Sequence, residues 1–182
     1  MRKKSKKRNK MIGVALVIIV LLFGIITVKF IQYEKIIEDT ERTWLITQYG
    51  PRDVNSMFYT LYGGKGQLIV VDGGWTEDAD FVRQTIKEMG GKVDAWILTH
   101  PHQDHIGAFN AIYSDLQGIE IKEVYTVDMP SPKLCQERAH WDSVDTYNDF
   151  LDLNVKNLKY VYPGDELNIC GLKVDIYNAY DE

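Results

Sequence analysis

Three imidazoles and one carboxylate fall within six residues in the run Thr99-His100-Pro101-His102-Gln103-Asp104-His105. Imidazole nitrogens and carboxylate oxygens are the donors that a borderline-soft cation such as zinc accepts. In His-x-His on an extended segment, the two rings point the same way, so His100 and His102 can share one ion. Asp104 and His105 are offset from them and can serve a second. Two ions about 3.5–4 Å apart activate a water at neutral pH and stabilise the charge that develops during hydrolysis. The pattern therefore points to metal-assisted hydrolysis, provided that the loop is held in place.

The elements that hold it are legible on either side. Val93–Leu98 contains the apolar stretch Ala95-Trp96-Ile97-Leu98 and reads as a buried strand that delivers the loop. A helix starts near His105 and carries Ile106, Phe109, Ala111 and Ile112. Upstream, Thr43–Gln48 and Ser56–Leu61 have strand character, separated by the turn signal Gly50-Pro51-Arg52-Asp53. Tyr62-Gly63-Gly64-Lys65-Gly66 is a second turn, and Gln67–Val71 is a buried strand ending in Asp72-Gly73-Gly74. Thr76 is a candidate N-cap for a helix with Phe81, Val82, Thr85, Ile86 and Met89 at helical spacing, stopped by Gly90-Gly91. Downstream, Ile119–Val127 reads as a strand and Leu134–Leu153 as a helix. Leu158–Val161, Leu167–Ile169 and Leu172–Ile176 read as short strands. Strands alternating with helices after an antiparallel start predict a layered α/β fold.

The formal net charge of -5 hides an asymmetry. Residues 1–10 carry seven basic side chains and no acid, leaving 14 basic against 26 acidic residues in the rest of the chain. An acidic body repels phosphates, which disfavours a nucleic-acid partner. Met11–Val28 is an uncharged, largely apolar run of 18 residues directly after the basic cluster. Its length, the preceding positive charge and the lack of a small-residue cleavage site favour an uncleaved signal anchor over a signal peptide. The sequence thus predicts a basic cytoplasmic tail (1–10), a transmembrane helix in the lipid bilayer (11–30), a juxtamembrane stalk (31–42) and a domain outside the cell membrane (43–182). Cys135 and Cys170 can be a disulfide or two small core residues; spacing does not decide between them.

The stretch Ile97-Leu98-Thr99-His100-Pro101-His102-Gln103-Asp104-His105-Ile106-Gly107-Ala108 resembles the H-x-H-x-D-H signature of the metallo-β-lactamase fold superfamily. The upstream Leu68-Ile69-Val70-Val71-Asp72-Gly73-Gly74 is similar to that family's first motif. The resemblance extends over roughly residues 43–178. It implies a four-layer αββα sandwich, of which this chain would supply the first half. It also implies zinc, up to two ions in a complete site: His100 and His102 on the first, Asp104 and His105 on the second. Asp104 would also orient the attacking water, and Asp72 would support the histidine loop.

The family's second half supplies further ligands. Here only His140 follows the motif, in a predicted helix and only 35 residues after His105. A packing or surface role fits His140 better than ligation. Asp165 and Asp175 do not clearly match the family's bridging aspartate. The expectation is therefore a membrane-anchored hydrolase attacking an ester-type bond, phosphodiester or related, present as a fragment or a reduced homologue with weak or partial zinc binding. The alternative is a non-catalytic membrane protein that retains the metal motif as a binding or structural module. The substrate is not legible; its pocket would be shaped by loops such as Trp75–Asp80 and Asp128–Trp141.

Overall fold

Leu68-Ile69-Val70-Val71 and Ala95-Trp96-Ile97-Leu98 have no polar face, so each needs cover on both sides. In the computed structural model, which describes residues 2–41, 43–50 and 57–178, they lie side by side in the middle of a sheet. The strands are β1 (Trp44–Tyr49), β2 (Phe58–Gly63), β3 (Leu68–Val71), β4 (Lys92–Val93), β5 (Ala95–Leu98), β6 (Glu120–Ile121), β7 (Val124–Val127), β8 (Leu158–Val161), β9 (Glu166–Ile169) and β10 (Leu172–Asp175). The helices are α1 (Arg2–Glu41), α2 (Ala79–Glu88), α3 (Gln103–Ser114), α4 (Pro132–Arg138) and α5 (Val144–Asp152).

The main sheet has the order β1-β2-β3-β5-β7-β8. β1, β2 and β3 pair antiparallel, and β3, β5, β7 and β8 run parallel. Side chains alternate across it. Leu68, Val70, Trp96, Leu98 and Val124 join one core with Val82 and Ile86 of α2, Ile106, Phe109 and Ile112 of α3, and Phe150 of α5. Ile69, Ala95, Ile97, Tyr125 and Val127 face the other way, onto Leu167 and Ile169 of β9 and Leu172 and Val174 of β10. Helices thus cover one face and the antiparallel β9–β10 hairpin packs on the other. The loops after β3 and β5 leave the carboxyl ends of adjacent parallel strands, where open α/β sheets present their sites.

Several expectations change in detail. The predicted strand 93–98 is two strands: Asp94 interrupts it, its amide donating to Leu68 O at 2.8 Å and its Oδ2 accepting from Leu68 N at 3.0 Å. The predicted helix 134–153 is two helices, α4 and α5, each with a serine N-cap, Ser131 and Ser143. His140 lies in the turn between them, not inside a helix. Cys135 is half-buried, Cys170 is exposed, and both are free thiols, so they form neither a disulfide nor a pair of core residues. The Gly50-Pro51-Arg52-Asp53 turn lies largely outside the described residues.

The chain divides into two compact units, Met1–Thr43 and Trp44–Glu182. In the first, a single helix of 40 residues runs through the basic tail, the apolar run and the stalk without a break. Among the described residues, no helix is long and apolar enough to cross a membrane. This corrects the expected transmembrane helix at 11–30, and with it the location in the cell membrane. The apolar run is only the middle of α1, and charged residues crowd both of its ends.

Candidate functional site

Asp72 is the centre of the site. It ends β3 with a left-handed φ of 56°, a conformation that aspartate tolerates better than most residues. Its backbone is tied on both sides: the amide donates to Ile97 O at 2.8 Å, and the carbonyl accepts from Trp96 Nε1 at 3.0 Å. Its buried carboxylate then reaches the histidine loop. Oδ1 accepts from Thr99 N at 2.9 Å, and Oδ2 accepts from Thr99 Oγ1 at 2.8 Å. Oδ2 also lies 2.8 Å from His105 Nδ1.

This network fixes ring tautomers. A carboxylate only accepts, so His105 carries a proton on Nδ1, and in the neutral ring its Nε2 is then bare. Thr99 Oγ1 gives its single proton to Asp72 and lies 2.9 Å from His100 Nδ1, so it accepts the Nδ1 proton of His100. His100 therefore also presents a bare Nε2. An imidazole anchored through one nitrogen and offering the other is the usual arrangement of a metal ligand.

The loop's backbone follows from its sequence. Pro101 is buried and holds His100 away from helical conformation. His102 occupies the N-cap of α3 with extended angles (φ -69°, ψ 147°), and its carbonyl accepts from His105 N and Ile106 N. Asp104 falls in the first turn of α3, where negative charge suits the helix dipole. The His100 ring packs against His102 and His105 at centroid separations of 4.6 and 3.8 Å. Asp104 Oδ2 is 3.7 Å from His105 Nε2.

The two anchored rings titrate in opposite directions. Burial and the neighbouring His105 and His102 rings push His100 down, which keeps it neutral and able to donate a lone pair. Burial also opposes charge on His105, but the Asp72 hydrogen bond and the Asp72, Asp104 and Asp142 carboxylates together outweigh it and raise its pKa.

The four expected ligands, His100, His102, Asp104 and His105, are thus neighbours around one loop. Among the described residues, no group of three or more such side chains converges closely enough to hold an ion. The chemistry of the donor set nevertheless suits a divalent cation, because two of its rings have their second nitrogen already committed. His140 lies apart: it is exposed and edge-on to Trp141, with centroids 5.2 Å apart.

The sequence reading passed over two positions. Thr99 gives Asp72 both a backbone and a hydroxyl contact and passes the anchoring on to His100; the only clue was a hydroxyl residue directly before the first histidine. Gly107 lets α3 approach the loop after Gly74, since a Cβ there would lie 2.5 Å from Thr76 N and 2.9 Å from Trp75 C. The contact is closed by Ala108 N donating to Gly74 O at 3.1 Å.

Beside His100 and His102 opens a pocket of about 400 Å³. Pro101, Val127, Pro130 and Leu134 form its apolar wall, and Arg138 also lines it. Residues of the 128–141 segment line it, and none of Trp75–Asp80 does.

The domain is a layered α/β fold that carries its histidine loop at the carboxyl end of its central parallel strands. Residues 49–133 match the model of the metallo-beta-lactamase superfamily. Its fold is accordingly a metallo-β-lactamase-like α/β fold. A hydroxyacylglutathione hydrolase of Aliivibrio fischeri strain MJ11 is 29% identical over 121 residues, covering 64% of this chain and 46% of that protein. RNase aCSPSF2 of Saccharolobus solfataricus is 26% identical over 137 residues, covering 71% of this chain and 27% of that protein. Among solved structures, the metallo-beta-lactamase SMB-1 bound to 2-mercaptoethanesulfonate is 20% identical with a TM-score of 0.49, covering 76% of this chain and 51% of that one. The chain spans about half the length of the curated hydroxyacylglutathione hydrolases it matches.

Proposed function

We propose that the domain is a zinc-dependent hydrolase of an ester-type bond in a small molecule. The observation that carries this reading is the Asp72–Thr99 network, which anchors His100 and His105 through Nδ1 and leaves their Nε2 atoms out of that network. Bound zinc supplies Lewis acidity and a water acidic enough to ionise near neutral pH. His100 and His102 would be the ligands of a first ion, Asp104 and His105 of a second. Asp104 would also orient the attacking water and take up its proton, as a carboxylate in the first turn of α3 can. The pocket beside His100 and His102 receives the substrate, and its apolar wall excludes competing water.

The relatives' names, a hydroxyacylglutathione hydrolase and an RNase, both belong to cleavage enzymes and support hydrolysis. The acidic balance of residues 11–182 favours a small substrate over a polynucleotide. The test is turnover of a 4-nitrophenyl ester, a hydroxyacylglutathione thioester and bis(4-nitrophenyl) phosphate by the zinc-loaded protein, with His102→Ala and Asp104→Ala alongside. Hydrolysis of at least one substrate, lost by about a hundredfold or more in both variants, is expected. Equal turnover in all three proteins contradicts the reading. Tight zinc without turnover points instead to a non-catalytic metal-binding module.

A further inference from the structure

The side-chain charge around the pocket is one-sided. Among the described residues its lining contains apolar residues, His100, His102, the neutral polar Thr99 and Asn178, and a single fixed charge, Arg138. Among the described residues no carboxylate lines it, although the rest of the domain is rich in acids. A cation alone on the wall of an apolar pocket is a local recognition feature and not a steering field.

The guanidinium is also available. Arg138 ends α4, whose first turn is fixed by Ser131 accepting from Leu134 N at 3.3 Å, and whose end is fixed by Ala139 N donating to Cys135 O at 2.7 Å. Among the described residues, no carboxylate pairs with it. Asp142, four residues on, is engaged elsewhere: its Oδ1 accepts from Gln103 N at 3.4 Å. The neighbouring thiol of Cys135 is kept protonated by burial and by Asp142, so it adds no competing charge. The planar fork of arginine matches the two oxygens of a carboxylate or phosphate.

We infer that the pocket takes a substrate with an apolar body ending in an oxyanion, and that Arg138 is the specificity-determining residue that holds the oxyanion. The inference rests on the hydrolase reading for the reacting end of the substrate, but binding by the pocket can be tested separately. The apolar wall accepts the body, and the fork grips the anion.

The probes are hexanoate and its neutral isostere hexanamide, titrated by ligand-observed NMR into the full chain at pH 8 with a chelator present. Wild type is expected to bind hexanoate about tenfold more tightly than hexanamide. Arg138→Gln is expected to erase that preference by weakening hexanoate alone, and Arg138→Lys to retain part of it. Equal hexanoate affinity in wild type and Arg138→Gln overturns the inference, as does no binding of hexanoate by wild type. Because the titration reads binding without metal, a failed hydrolysis assay leaves its outcome intact, and a failed titration leaves the metal chemistry intact.

Discussion

Asp72 Oδ2 and His105 Nδ1 lie 2.8 Å apart across the gap between the β3 and β5 loops. The same oxygen accepts from Thr99 Oγ1, and Oδ1 accepts from Thr99 N. One buried carboxylate therefore sets the orientation of two rings and the path of the backbone that carries them. Hydrogen bonds to a charged group contribute about 1.5–3 kcal/mol each, more than ordinary ones.

Asp72→Asn keeps the shape but replaces one acceptor oxygen with a donor. That amide faces either Thr99 N or the Thr99 hydroxyl and His105 Nδ1, so at least one contact becomes unfavourable. Zinc affinity is expected to fall about ten- to a hundredfold while the far-UV circular dichroism is retained. A competitive titration against a chromophoric chelator reads the change.

Gly107→Ala is expected to destabilise the domain by about 2–3 kcal/mol in urea unfolding. Its new methyl would lie 2.5 Å from Thr76 N, a backbone atom that can yield only if the 75–76 segment moves off α3. Gly73→Ala is expected to cost less, since its nearest neighbours are Phe109 N at 3.2 Å and Ala108 Cβ at 3.3 Å.

The Asp94 side chain, 8% exposed, pairs with Lys122 and accepts from Leu68 N. Burial opposes its charge, but the Lys122 and Leu68 hydrogen bonds and the Lys122 and Lys92 charges prevail, so its pKa is held below the ordinary 3.8. A folded-state pKa below the unfolded one gives stability that is present above about pH 4 and is lost as pH falls through the folded value. Asp94→Asn removes that contribution. Its urea midpoint is expected to lie below that of wild type at pH 6, and the gap to narrow between pH 4 and pH 2.

His140→Ala is expected to leave zinc affinity within about twofold of wild type, since the ring is exposed and touches Trp141 rather than the histidine loop. Chelator competition again reads it.

The legibility of the sequence varied with the range of the interactions. The strand Ala95–Leu98 and the helix after His102 were plain because burial on both faces and 3.6-residue spacing are local patterns. The loop was plain because its donors are contiguous. The break at Asp94 was not, because it depends on Leu68, 26 residues earlier. The split at His140 was missed because Ser131 and Ser143 act as caps only once α4 and α5 pack separately. The membrane expectation was drawn from the run Met11–Val28, the basic cluster before it and the lack of a cleavage site, whereas that run forms part of a 40-residue helix, and no helix among the described residues is long and apolar enough to cross a membrane. Arg138 reaches the pocket only through the fold and has no sequence signature.

The central claim is that Asp72 and Thr99 prepare His100 and His105, with His102 and Asp104, to bind zinc. Isothermal titration of zinc into the wild-type chain, His100→Ala and His102→Ala at pH 7.5 tests it most directly. The account predicts saturable binding by wild type and at least about tenfold weaker binding by each variant. Zinc bound equally well by all three proteins would contradict it.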